Sequence, residues 1–241
     1  MATQRGASAD ARWATDSVAS FVLFVVHESL HHFQLQKFAP LPTQASPLAN
    51  QTAVRPHRAL VGESLIESML ERERALLASA IEAPSCSTAA DTLQHYRRAR
   101  LERLRRLPAV FVGFEDAHER AEGLATWIGL LGVHQLMTRD TSGARRDVVS
   151  DLREGYRDSS GRPFEGWARY ASWHLYATGA GKAALLDRCA ASSWRVAVTS
   201  GETLESLLAE IAPLPGAPPN ERRRALLNPR SPLGVTRAPI P

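Results

Sequence analysis

A mainly helical fold, all-α or α+β with at most a small sheet, is predicted by three features of this sequence. Apolar residues recur at helical spacing in most segments. Alternating runs rich in Val, Ile and Thr are nearly absent, and aromatics are only 7% of the chain, too few for a strand-rich core. The 241 residues are 44% hydrophobic, enough for one domain of about 200 residues with a tail. The expected division is a flexible N-terminus over 1–15, a folded unit over 16–211 and a Pro/Arg-rich, disordered tail over 212–241.

No Pro or Gly interrupts residues 10–38, so a helix is expected over 16–37. Pro40, Pro42, Pro47 and Pro56 make 39–56 a loop. Leu65, Ile66, Met69, Leu70, Leu77, Ala80 and Ile81 give 61–83 a helical period. Residues 84–88 break it, a second helix runs over 89–107 and Pro108 ends it, which predicts an antiparallel hairpin. Residues 109–112 read as a short strand or as the lead-in to a helix over 114–136. After a loop over 138–144 come a short helix (145–156), a loop (157–163) and a long helix (164–191). An extended piece at 194–198 and a helix at 204–211 close the folded part, with no internal repeat.

The net charge of +4 comes largely from arginines in two places, 97–106 and the tail. The first stripe has no aromatic interleaving, so it is expected as a solvated helix face with Leu101, Leu104 and Leu107 turned inward. The alternative is a non-catalytic helical binding protein whose basic face contacts polyanions. Nucleic acid is not the expected partner, and oligomeric state is not readable. Cys86 and Cys189 match no metal-binding Cys-x-x-Cys pattern and force no redox compartment. The start of the chain lacks the order of a secretory signal, and Phe21 to Val26 is too short to span a membrane. The chain as written is expected in the cytoplasm, or exported if a segment precedes it.

The richest segment is Phe21-Val22-Leu23-Phe24-Val25-Val26-His27-Glu28-Ser29-Leu30-His31-His32-Phe33. His27-Glu28-x-x-His31 places two imidazoles at i and i+4 on one helix face, where they can bind one Zn²⁺ with Glu28 beside the water that such a metal activates. The apolar lead-in suits a helix packed inside a domain. The alternative is an amphipathic helix with surface or satisfied core histidines. His32 points about 100° away from His31 and is not a ligand candidate.

A catalytic zinc takes three protein ligands and keeps one position open. Glu115, Glu119 and Glu122 recur at i, i+4 and i+7 on a helix that continues into the apolar Leu124, Ala125, Ile128, Leu130 and Leu131. Acids in such a setting need a partner, and a metal is one. Otherwise they are surface charge paired with arginine.

Glu122-Gly123-Leu124-Ala125-Thr126-Trp127 resembles the Glu-Gly-x-Ala-x-aromatic segment that supplies the glutamate ligand in gluzincin metallopeptidases. With His31-x-x-Gln34, the first motif is also similar to uncharacterised bacterial zinc peptidases that carry His-Glu-x-Phe-His-x-x-Gln. The likeness takes in the Glu/Leu-rich helix at 67–80, the Arg-rich helix at 96–106 and Tyr176-Ala177-Thr178-Gly179, and so runs loosely over 20–211. Leu30 stands where Phe is common, Trp127 replaces a usual Tyr, and the N-terminal sheet region of zincins is expected to be truncated.

The resemblance implies a zincin-like helical domain and a zinc-dependent peptidase acting on a peptide or protein. It favours Glu122 as third ligand over Glu119, leaving Glu119 or Glu115 to accept from a ligand histidine. Glu28 would be the general base. Tyr176 and His174, in a segment rich in donors, are the candidates for stabilising the oxyanion. The small Gly123 and Ala125 are expected to let their helix lie close to the His27 helix.

Overall fold

The computed structural model describes residues 17–41, 52–154 and 166–214. Among these the chain is helical, with no strand. The expected flexible start and nearly all of the tail lie outside them, as does most of the two loops over 39–56 and 157–163.

Helix α1 (Val18–Lys37) starts where Ser17 accepts a hydrogen bond from the Ser20 amide at 3.1 Å. It ends where the backbone turns extended at Phe38, ahead of Pro40. A 3₁₀ segment (Arg55–Gly62) leads into α2 (Ser64–Glu82) and α3 (Cys86–Leu104), which pack together as the expected hairpin. Ser85 caps α3 by accepting from the Thr88 amide at 3.2 Å.

Helix α4 (Val110–His118) runs through a π-helical turn (Glu119–Gly123) into α5 (Leu124–Met137). Residues 109–112 are thus the helical lead-in and not a strand. Helix α6 (Ser142–Glu154) begins inside the expected loop, because Asp140 accepts from the Ser142 amide at 2.9 Å. The short α7 (Gly166–Arg169) passes through a second π turn (Tyr170–His174) into α8 (Leu175–Cys189).

The extended piece expected at 194–198 is instead helix α9 (Trp194–Thr199). Trp194 and Val198, at i and i+4, are both buried, and the Trp194 indole donates to Asp187 at 3.0 Å, so a helical turn satisfies both residues. Helix α10 (Leu204–Ile211) completes the described elements.

The core lies between α2, α3, α5, α6, α8 and α10, built on residues such as Leu77, Leu93, Trp127, Val148, Trp173 and Leu185. α1 lies across the α5 side of this bundle, antiparallel to it: Gln34 meets Arg120 and Ala121, His31 meets Glu122, and Leu23 and His27 meet Gly129. A Cβ on Gly129 would lie 2.8 Å from the Leu23 side chain, and one on Gly132 would lie 3.2 Å from Val26. Gly129 and Gly132 therefore allow the approach to α1. Gly123 instead faces α8, where it meets Gly179.

Cys86 and Cys189 form a disulfide that ties the first turn of α3 to the end of α8. Arg188 reinforces the junction by donating to the carbonyls of Ile81 and Ala83, the last turn of α2 and its cap.

The arginine stripe is neither wholly solvated nor wholly available to a polyanion. Arg100 and Arg103 are fully buried, whereas Leu101 is turned out. Arg103 is bidentate to Glu73 and also donates to Glu115, with its Nε 2.6 Å from Glu73. Arg100 pairs with Glu115 at 2.9 Å and is bidentate to Glu119. Arg97 pairs with Glu205 at 2.9 Å. Arg98, Arg105 and Arg106 remain at the surface. Buried guanidiniums are tolerated here because each has carboxylate partners in a planar fork geometry.

Candidate metal centre

Leu23, one turn before, is buried and shares a face with His27, which is buried on the inner side of α1 while Glu28 and Ser29 face out. The apolar lead-in is not packed inside the domain as expected, since Phe21, Phe24 and Val25 are exposed. One helical turn on, His31 is half-buried, and the two Nε2 atoms approach to 3.0 Å. From α5's side, Glu122 Oε2 lies 3.3 Å from His27 Nε2 and 3.2 Å from His31 Nε2. Three donor atoms of a type suited to zinc thus converge from sequence positions more than 90 residues apart.

The spacing can be tested against the chemistry. Zinc bonds of about 2.0–2.1 Å in a tetrahedron require ligand atoms about 3.3 Å apart. The observed separations of 3.0, 3.3 and 3.2 Å fit that edge length with little movement. Two imidazoles and a carboxylate also match the three-ligand set that leaves a fourth position open.

The π turn explains why Glu122 and not Glu119 is at this site. An extra residue in the turn rotates the rest of the helix about its axis, so the three glutamates do not form one stripe. Glu115 and Glu119 point inward to the arginines. Glu119 accepts from Arg100 at 3.0 Å, Thr178 at 2.8 Å and Lys182 at 2.7 Å, which occupies both its oxygens. Glu115 accepts from Arg103, Arg100 and the Tyr170 hydroxyl. Neither reaches a ligand histidine, so the expected supporting role for them is not what the structure holds.

That role falls to Gln34. Its amide nitrogen donates to the carbonyls of Arg120 at 3.2 Å and Ala121 at 3.0 Å, which turns its oxygen toward His31 Nδ1 at 2.9 Å. Nδ1 therefore carries hydrogen, and Nε2 faces His27 and Glu122. The anchoring carbonyls belong to the π turn itself, so Gln34 couples the ring orientation of His31 to the segment that carries Glu122. The hydrogen bond to Glu122, first of all, raises His31 to about 9, with Gln34 helping and burial opposing. Burial pushes Glu122 up, but the hydrogen bonds from His27 and His31 outweigh it and hold the carboxyl well below its usual range. A divalent cation would replace this shared-proton arrangement with the same three atoms.

Tyr176, just after the second π turn, closes one side. Its ring lies parallel to His27 at 6.1 Å between centroids, and its hydroxyl is near enough to Glu122 to help hold that carboxyl down. Burial, and then the Glu122 charge, push this phenol far up, so it is a donor at neutral pH. His118, one turn ahead of Glu122, packs against Tyr176 at 5.8 Å and Phe114 at 5.2 Å. Burial lowers it, which favours the neutral ring. Its four-residue offset from Glu122 was the available sequence signal. Glu28 is exposed on the open side and makes no ion pair within 4 Å among the described residues.

His174 is not brought to this cluster. It is fully buried, with Nδ1 3.4 Å from Arg74 and its ring stacked on Tyr170 at 5.8 Å. Burial, and then the charge of Arg74, keep it well below its ordinary value. His32 is exposed and pairs with Gln36 at 2.7 Å, away from the cluster as expected. No helix of the described residues is long and apolar enough to cross a membrane. Comparisons with protein families, with curated proteins and with solved structures find no match for this chain.

Proposed function

We propose that the protein is a zinc-dependent hydrolase, most simply a metallopeptidase, with His27, His31 and Glu122 as the ligands. The observation that carries this reading is the meeting of three donor atoms at tetrahedral-edge distances, with Glu28 exposed next to His27 and in no ion pair among the described residues. The Glu-Gly-x-Ala resemblance to gluzincins supports the same ligand set. When bound, zinc supplies Lewis acidity, bringing water ionisation toward neutral pH and polarising a carbonyl.

The chain's own groups would do the rest. Glu28, next to His27 but pointing to the open side, takes a proton from the attacking water and returns it to the leaving amine. Gln34 holds His31 in the ligating tautomer. Tyr176, beside Glu122, would be the donor to a carbonyl oxygen as it gains charge. His174 has no part in this scheme.

The disulfide favours an oxidising compartment, hence an exported protein, over the cytoplasm expected from the sequence. The hydrolase reading is tested by screening a mixed peptide library for products by mass spectrometry, then comparing Glu28→Gln. The variant should bind zinc like the parent and turn over about 10²–10⁴-fold more slowly. Equal turnover would contradict the mechanism.

A further inference from the structure

We propose a second, anion-binding site on the far side of the Tyr170–His174 turn, in which Arg74, Arg169 and His174 hold a small oxyanion such as a phosphate or carboxylate group. It is independent of the metal reading. A small cleft, open on one side, is lined by Arg74, Arg169, His174, Tyr170, Glu67 and Leu70, among others.

Three observations carry the inference. First, His174 is 0% exposed and its Nε2 has no hydrogen-bond partner among the described residues. Arg74 can only donate to Nδ1, so Nε2 carries the hydrogen and is a buried donor without an acceptor. A buried donor of this kind is costly to leave unmatched, and a bound oxyanion would accept from it.

Second, Arg74 is only 4% exposed, yet no carboxylate lies within salt-bridge distance of it among the described residues. Its sequence neighbour Glu73 is taken by Arg103. Instead Arg74 and Arg169 both sit over the indole of Trp173, at 4.2 and 5.2 Å from its centroid. Two guanidiniums share one aromatic platform. Among the described residues the only acid paired with either is Glu71, at 3.3 Å from Arg169 and 59% exposed. An exposed pair of that kind is weakly held and screened.

Third, the excess positive charge extends beyond these two. Arg58 stacks over the neighbouring Trp167 at 4.6 Å, and its buried Nε has no acceptor among the described residues. Glu67, at the cleft, pairs with neither Arg74 nor Arg169. Burial, and then the charge of Arg169, lower Arg74 to about 10, with the charges of Glu71, Glu73 and Glu67 opposing. Planar forks and an imidazole N–H around one small space are the donors that suit oxyanion recognition.

The test is titration calorimetry of the full chain with inorganic phosphate and, separately, with acetate, each against sodium chloride at matched ionic strength. At least one probe should bind saturably in the parent. Arg74→Met, which keeps the stem over Trp173, should weaken it by about tenfold or more, in line with loss of a charged hydrogen bond. His27→Ala should bind the anion like the parent, which separates this site from the metal centre. If Arg74→Met does not fold, Arg169→Gln, at the more open edge, must show the weakening. Saturation by phosphate alone would mark a free phosphate site, and saturation by acetate a carboxylate site. No saturable binding of either, or unchanged binding in the arginine variants, would overturn the proposal.

Discussion

Gly123 and Gly179 meet backbone to backbone: a Cβ added to Gly123 would lie 2.4 Å from the Gly179 Cα. Nothing flexible stands in that contact, so it sets the distance between the π turn that carries Glu122 and the helix that carries Tyr176. Gly123→Ala must push the two helices apart. The expected loss is about 1–3 kcal/mol of stability, the usual cost of overpacking. Zinc affinity should fall with it, measured by denaturant unfolding and by chelator competition. A variant as stable as the parent and binding zinc equally would show that the contact yields.

Glu122→Gln and Glu119→Gln should separate cleanly. The first removes a ligand from a partly exposed position and should lose zinc while keeping the fold. The second leaves Lys182 and Arg100 short of a buried partner and should cost roughly 3–5 kcal/mol of stability. Zinc affinity and urea midpoints for both variants check this. A larger zinc loss in a well-folded Glu119→Gln would move the ligand.

The motif on α1 was legible because its geometry is local: i and i+4 share a face whatever the rest of the chain does. Glu122 was legible through its neighbours Gly123 and Ala125, though for another reason than expected, since Gly123 serves the contact with α8 and not with α1. The π turns were not legible, because a one-residue insertion in a helix leaves no periodic trace in a single sequence. That hid the splitting of Glu115 and Glu119 from Glu122. Arg100 and Arg103 read as surface charge because their partners, Glu73, Glu115 and Glu119, lie up to 30 residues away. The Cys86–Cys189 bridge spans 103 residues, and only the packing of α3 against the end of α8 shows it.

The buried ion pairs give stability a pH dependence with a definite sign. Burial pushes Glu115 up, but Arg103 and Arg100 outweigh it and hold it at about 2, below its ordinary 4.5. Its contribution is therefore complete above 4.5 and is lost as pH falls toward 2. Asp116 runs the other way: burial raises it to about 6 from 3.8, so its contribution is lost as pH rises through that window. Asp116→Asn should flatten the stability profile between those two values while leaving acid unfolding below 4.5 in place. Denaturant midpoints against pH test this, and an unchanged slope in the variant would contradict it.

Reducing the disulfide should destabilise the protein without touching the metal ligands. In the chain-entropy account, closing a loop of roughly 100 residues is worth about 4–5 kcal/mol. The paired Cys86→Ser, Cys189→Ser variant should show a lower unfolding midpoint and bind zinc as the parent does under native conditions. An unchanged midpoint would mean that helix packing alone holds this junction.

Metal content tests the central claim most directly. Protein purified without chelator should contain near-stoichiometric zinc by elemental analysis, and His27→Ala and Glu122→Gln should each lose it while retaining the parent's far-ultraviolet helical signal. A parent protein that neither contains zinc nor takes it up, or a Glu122→Gln variant that holds zinc as tightly as the parent, would contradict the account.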